Sequence, residues 1–349
     1  MTNGVLGVGL VGAGAFGEFC LAAFAEVSEV RIAAVCDMNL ARAEHFAARY
    51  TARAFSRYEE LLADEDVQIV VLSTPPVFHA AQGLAALRAG KHLFCEKPLA
   101  LSLADGEAMI QAALVSGRQV AVDYVMRQNP LWAACVSLRE SGLLGTLLHM
   151  DLANHAAGLD LPPAHWFWDK AQSGGIWIEH GVHFFDAFAW VAGQVGVVTA
   201  AAAYQRFDGR EDRVEALARF GEVAAHFYHG FTHHGETEQT TVRLTFERGH
   251  VVLDEWVPTA LTLTTREPTA PLTRLLPGTI SVEYRPEGTS RIRAELREGK
   301  SAVYRRAIQD GIQQLSRAAQ GDTAARFVTG TMALDSLRMA ISAEVLGRS

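Results

Sequence analysis

The chain has 349 residues, of which 49% are hydrophobic and 20% charged, so it can bury a sizeable core and is no disordered tail. Lys and Arg number 31 against 39 Asp and Glu, a net charge of −8 that argues against nucleic acid or an anionic membrane as the partner. At about 150 residues per domain the length suggests two domains.

Residues 5–27 are apolar enough to be mistaken for a signal or membrane segment, but no Lys or Arg precedes them and Glu18 interrupts them. Residues 5–11 read instead as a strand, followed by a helix over 15–25. Further apolar runs at 31–36, 68–72, 91–95 and 119–123 alternate with helical patterns at 40–50, 79–89 and 102–116. Strands that alternate with helices, and are apolar on both faces, imply βαβ units in a doubly wound parallel sheet. The four cysteines, Cys20, Cys36, Cys95 and Cys135, form no CxxC pair. Buried thiols in a reducing compartment are the expectation, and the cytoplasm the default location.

Beyond residue 124 the pattern changes. A helix is expected over 131–140, a strand over 146–153 and a helix over 176–191. Successive strands follow at 213–220, 223–231, 241–246 and 250–256. In 241–246 Val242, Leu244 and Phe246 alternate with Thr241, Arg243 and Thr245. Such a run of strands implies a large, mostly antiparallel sheet with one open face. Helices over 301–319 and 323–346 close the chain.

Gly12-Ala13-Gly14-Ala15-Phe16-Gly17 directly follows the first strand and opens a helix. Gly12 permits the tight turn, Gly14 lets a pyrophosphate approach the backbone, and Gly17 lets helix and strand pack closely. The helix start at Ala15 and Phe16 offers free N–H groups and a positive dipole end. Asp37 lies 20 residues beyond Gly17, where a carboxylate binds a ribose 2′-hydroxyl. A carboxylate repels a 2′-phosphate, so NAD is expected, with NADP as the alternative. Arg42 either softens that preference or is a solvated helix residue.

Other candidates stand at strand ends. Ser73, Thr74 and Pro75 follow the third strand, on the side where doubly wound sheets bind ligands, and His79 opens the next helix. Cys95-Glu96-Lys97-Pro98 follows the fourth. Pro98 restricts Lys97 to an extended backbone and admits a cis bond. An ammonium at Lys97 would polarise an oxygen or join a proton relay; otherwise it is a surface lysine. In a helical 174–186, Glu179 and His183 are i and i+4, and Asp186 lies three residues further. A histidine held by a carboxylate is a proton acceptor near neutral pH, or simply a satisfied buried side chain. Glu179-His180-x-x-His183 is not the HExxH order of zinc proteases, and no metal is expected there or in the His226–His234 segment. Trp166, Trp168 and Trp177 form either a sugar-stacking wall or packing.

GAGAFG at 12–17, Asp37, STPP at 73–76, CEKP at 95–98 and GGxxxEHGxHxxD from Gly174 to Asp186 together resemble the Gfo/Idh/MocA family of oxidoreductases, over nearly the whole chain. The resemblance implies an N-terminal Rossmann domain, residues 1–124, and a C-terminal α/β domain with a large open-faced sheet, residues 125–349. It implies Lys97 and His183 as the catalytic pair, with Glu179 where the family commonly carries an aspartate. The segment 124–130 resembles the family's crossover, where Arg127 is expected to face the site. His155, His165, Trp166 and Asp186 complete the substrate candidates. The expected reaction is NAD-dependent hydride transfer at a secondary alcohol of a sugar, cyclitol or related polyol. A hydrolase or lyase with a retained NAD, and a non-catalytic NAD-binding regulator, are the alternatives. An apolar outer face on the second sheet would drive self-association, and a homodimer or homotetramer is expected.

Overall fold

A computed structural model describes residues 4–348 in two compact units; the expected domain ends at 1 and 349 lie outside those residues. The first unit gathers the chain up to Gln128, Ala171–Gly174 and Arg305–Leu337. It runs β1 (Leu6–Val11), α1 (Ala15–Phe24), β2 (Val30–Cys36), α2 (Leu40–Arg49), β3 (Arg53–Phe55), α3 (Tyr58–Ala63), β4 (Ile69–Leu72), α4 (His79–Arg88), β5 (His92–Cys95), α5 (Leu103–Ser116) and β6 (Val120–Val122). The six strands lie in the order β3-β2-β1-β4-β5-β6, every pair parallel. β4, β5 and β6 are buried on both faces, which is why they read as continuous apolar runs. The order reverses between β1 and β4, and ligands of such sheets bind beyond the strand ends at that point. Side-chain caps start two of the covering helices: Asn39 accepts from Arg42 N–H and Ser102 from Asp105 N–H.

Two features of this unit depart from the expected pattern. β3 and α3 are extra, both too short to leave a periodic signal. The chain also returns to the unit near its end, which a single boundary at residue 124 does not provide for. The returning segment belongs to α10 (Lys300–Ala319) and α11 (Gly330–Leu346). Arg305 pairs with Glu26 at 2.9 Å, Gln313 bonds Glu29 at 2.6 Å, and Gly311 lies against the Phe94 ring. The last helix starts at Gly330 rather than 323 because its expected first residues run against β6. Val122 N–H donates to Val328 O at 2.9 Å, and Ala121 bridges Thr329.

The second unit comprises Asn129–Lys170, Gly175–Tyr304 and the chain from Arg338 onward. It opens with α6 (Pro130–Ser141), which Asn129 caps while Pro130 fills the first helical position. β7 (Leu147–His155) and α8 (Val182–Ala192) follow; the single turn α7 (Lys170–Ser173), between them in the chain, belongs to the first unit from Ala171 on. Then come β8 (Val197–Gln205), β9 (Glu211–Phe220), β10 (Val223–Gly230), β11 (Gln239–Phe246), β12 (Gly249–Asp254), β13 (Ala260–Thr265), the short α9 (Thr269–Thr273), β14 (Thr279–Tyr284) and β15 (Ser290–Glu295). The nine strands lie in the order β14-β15-β13-β12-β11-β7-β10-β9-β8, and β7 with β10 is the one parallel pair among them.

One face of this sheet packs under α8, where Phe227 stands 4.7 Å from Phe185 and 4.6 Å from Phe188, ring centre to ring centre. Strand alternation turns Asp151 and His155 of β7, His226 and Tyr228 of β10, and Arg243 and Thr245 of β11 to the other face. That face is polar at these positions. Exposed apolar side chains of the sheet include Leu148 on β7 and Tyr284 on β14, and Val197, Phe207 and Leu217 nearer the β8 edge.

Candidate functional site

The glycine turn sits at the sheet's reversal point. Gly12 has φ +94°, and a Cβ there would lie 2.6 Å from Ser73 O, so both conformation and space demand glycine. A Cβ on Gly17 would lie 2.3 Å from Gly12 O and 3.1 Å from Leu10 Cδ2, so this glycine sets how closely α1 packs on β1. Gly14 differs: a Cβ there would meet no protein atom within 4 Å. Gly14 is also the N-cap of α1 and offers no side-chain cap. The N–H groups of Ala15, Phe16 and Gly17 therefore begin a helix whose positive end has no side-chain acceptor at its cap, beside open space. A pyrophosphate fits that cradle.

Asp37 ends β2 beside the turn. Its carboxylate accepts from Ala13 N–H and from Asn39 N–H, both at 2.9 Å. Arg42 lies 3.7 Å from it, half exposed, so the solvated residue is also an ion-pair partner. The donor set matches a dinucleotide: backbone N–H groups for phosphate and a fixed carboxylate for ribose hydroxyls.

Ser73, Thr74 and Pro75 occupy the loop after β4, half-buried. His79 is fully buried, its ring nitrogens lying against the carbonyl oxygens of Pro98 and Thr74. Burial, and then the Lys97 charge, hold its pKa below the ordinary histidine value, against the pull of those carbonyls. Lys97 precedes Pro98 through a cis peptide bond. Glu96, a cofactor candidate by its place after β5, hydrogen-bonds through its carboxyl to Asp123, just past β6. Burial pushes Glu96 well above the carboxylate range, reinforced by the Asp123 charge; it pushes Asp123 up to about 6, with Lys97 pulling both down. Sequence reading passed over Asp123, whose signal is a charged residue directly after an apolar strand.

In the second unit a π turn, Trp177–Gly181, runs straight into α8. Val182 N–H reaches back to Trp177 O, one residue further than in an α-helix. Gly181 makes room, since a Cβ there would lie 2.8 Å from the Trp177 ring. Glu179, in the π turn, is half-buried; His183, in the first turn of α8, is 4% exposed and Asp186 1%. The His183 ring lies 5.8 Å from Trp256 and 6.2 Å from His180.

His180 is anchored by a polar group that sequence reading missed. Asn154, buried on β7, donates through Nδ2 to His180 Nε2 at 3.1 Å and to His229 Nδ1 at 3.2 Å. Thr240 Oγ1 donates to its Oδ1 at 2.7 Å. Burial, then His180, pushes the His229 pKa well below the ordinary value, in keeping with a neutral acceptor ring. The signal was available: Asn154 breaks an inward-facing series of Met150 and Leu152.

His155 is the neighbour of Asn154 in the strand and faces the other side, against Tyr228 and His233. The structure does not bring it to the face that carries His180. His165 caps the turn Trp166–Trp168 by accepting from Phe167 N–H, its ring 5.3 Å from Trp166. Trp177 is packing, fully buried on Phe185 and His229. Arg127 lies in a half-buried turn that follows β6. The other histidines do not converge: His226 bonds Asp151 at 3.0 Å, and His234 bonds Asp160 at 2.6 Å.

A parallel sheet in this order, with a glycine turn and an uncapped helix at its reversal point, defines a dinucleotide-binding Rossmann protein carrying a second α/β unit. Residues 6–124 match the family model for the oxidoreductase NAD-binding Rossmann fold, and residues 132–252 match that of the GFO/IDH/MocA C-terminal domain. The chain belongs to the Gfo/Idh/MocA oxidoreductase family. It is 35% identical to inositol 2-dehydrogenase of Salmonella typhimurium over 144 residues, 40% of this chain and 43% of that one. It is 32% identical to 1,5-anhydro-D-fructose reductase of Ensifer adhaerens over 187 residues, 52% of this chain and 55% of that one. These matches span about half the length of the relatives. The fold follows levoglucosan dehydrogenase, solved with NADH and levoglucosan, over 98% of this chain and 97% of that one, with a TM-score of 0.80 and 20% identity. Among the described residues no helix is long and apolar enough to cross a membrane.

Proposed function

We propose that the chain is an NAD-dependent oxidoreductase that moves a hydride between nicotinamide and a secondary alcohol or ketone of a sugar, cyclitol or related polyol. The observation that carries the reading is the open cradle at Gly14 and α1, with Lys97 at the end of β5 in the same sheet. The names of its relatives, an inositol dehydrogenase and an anhydrofructose reductase, supply the substrate class. A bound nicotinamide would supply the hydride acceptor. Lys97 places an ammonium where it polarises the reacting oxygen, and His183 takes the hydroxyl proton. Glu179 assists His183 in place of the family's aspartate. Arg127, His165, Trp166 and Asp186 remain substrate candidates. Self-association as a homodimer or homotetramer, and a cytoplasmic setting, belong to the same proposal.

The test is NADH absorbance with purified protein, NAD and a panel including myo-inositol and other polyols and sugars. Oxidation of one of them supports the reading. Product without net NADH points to a retained nucleotide, and failure to bind any nicotinamide nucleotide overturns the reading. Lys97→Ala should lower kcat about 100-fold and leave the NADH Kd within about threefold.

A further inference from the structure

His79 opens α4 with no exposure to solvent, and its ring is engaged at both ends. Nδ1 lies 2.7 Å from Pro98 O and Nε2 lies 2.8 Å from Thr74 O. The two carbonyls belong to different loops, one after β4 and one after β5. The β4–β5 ladder ends at the pair Leu72 and Cys95, and Glu96 N–H makes the last backbone bond, to Leu72 O. Past that point the imidazole joins the loops. Pro98 has no N–H of its own, so its carbonyl is the backbone polar group available to hold the residue after Lys97.

We propose that His79 is a positioning residue for Lys97, its imidazole fixing the separation of the loops after β4 and β5 and so the point from which the ammonium acts. The proposal rests on the reading of Lys97 given above. Carbonyl oxygens only accept, so a neutral ring donates to one of the two and a charged ring to both. Burial and the Lys97 ammonium favour the neutral ring.

Two substitutions separate the two contacts. His79→Asn puts an amide nitrogen near the place of Nδ1 and keeps the link to Pro98. His79→Gln puts it near the place of Nε2 and keeps only the link to Thr74. With NAD and the fastest polyol of the panel, His79→Gln should lower kcat about tenfold or more with the KM for NAD within about threefold. His79→Asn gives up the Thr74 side of the bridge and should lower kcat about threefold or more. In a Lys97→Ala background His79→Gln should change kcat by less than about twofold, because the residue it acts through is gone.

A second readout needs neither nucleotide nor substrate. Trace acetylation read by mass spectrometry should show the Lys97 rate in His79→Gln changed by about threefold or more, relative to Lys91, Lys170 and Lys300. Equal kcat losses in both backgrounds, or an unchanged Lys97 rate, overturn the proposal. Full turnover by Lys97→Ala overturns the reading of Lys97 instead, and the acetylation rates still decide on His79. If His79→Gln does not fold, unchanged turnover together with an unchanged Lys97 rate in His79→Asn overturns the proposal.

Discussion

Adding one methyl group at Gly14 separates binding from folding. A Cβ there meets no protein atom within 4 Å, and the residue has φ −78° and ψ −175°, which alanine adopts freely. Gly14→Ala should therefore leave the fold intact, with stability within about 1 kcal/mol of the parent, the gain through the unfolded chain offsetting a poorer N-cap. The methyl would project into the space at the start of α1, where we place the pyrophosphate. Pushing the phosphates back from the backbone N–H groups forfeits at least one charge-assisted hydrogen bond, about 1.5–3 kcal/mol. The NADH Kd should rise about 10- to 100-fold. Gly17→Ala is the control. Its methyl would lie 2.3 Å from Gly12 O and 3.1 Å from Leu10 Cδ2, forcing α1 off β1. It should lose about 1–3 kcal/mol of stability together with NADH affinity. Fluorescence titration with NADH and urea unfolding measure the two quantities. A Gly14→Ala protein that binds NADH as tightly as the parent refutes the assignment of that space to the pyrophosphate.

Three further outcomes follow from the geometry. Asp37→Ser removes the carboxylate that accepts from Ala13 and Asn39, and the ratio of kcat/KM with NAD to that with NADP should fall about tenfold or more; an unchanged ratio removes Asp37 from cofactor choice. Burial, and then Arg118, lower the His92 pKa from 6.5 to about 4. Because the unfolded chain binds the proton more tightly, the stability this residue contributes is present above pH 6.5 and lost as pH falls toward 4, by about 3 kcal/mol at most. Urea unfolding at pH 7.5 and 5 should show a slope that His92→Gln reduces; an equal slope in both proteins contradicts this. Asn154→Leu leaves His180, His229 and Thr240 without their shared partner, and should lower stability by about 2–4 kcal/mol. A loss below about 0.5 kcal/mol would mean that the network contributes little.

What the sequence disclosed depended on whether the signal was local. β1, the glycine turn and α1 are contiguous, so residues 5–25 carry strand, turn and helix in one reading. β8 hides because its alanine run has no alternation, and β14 because an edge strand exposed along its length has no apolar face. Residues 323–329 have helix-forming side chains, yet their backbone is held at its end by β6, which no local propensity reports. The site divides the same way. Gly14 and Asp37 were legible from spacing alone. Glu96 facing Asp123, and His79 bridging two loops, depend on neighbours that only the folded sheet brings together. His155 sits one strand position from Asn154, which in a pleated strand means the opposite face.

The chain's late return to its first unit has a practical corollary for anyone recombining such enzymes. Cutting before Arg305 would not yield a clean nucleotide module. It would strip the cover that Ile308, Ile312 and Leu315 belong to, all wholly buried, and would remove Leu334 from the side of Gly106. Each such side chain contributes about 1.5–3 kcal/mol on burial. A stop codon near the tail therefore damages a site encoded by the first forty residues, and a transplanted head must bring its tail along.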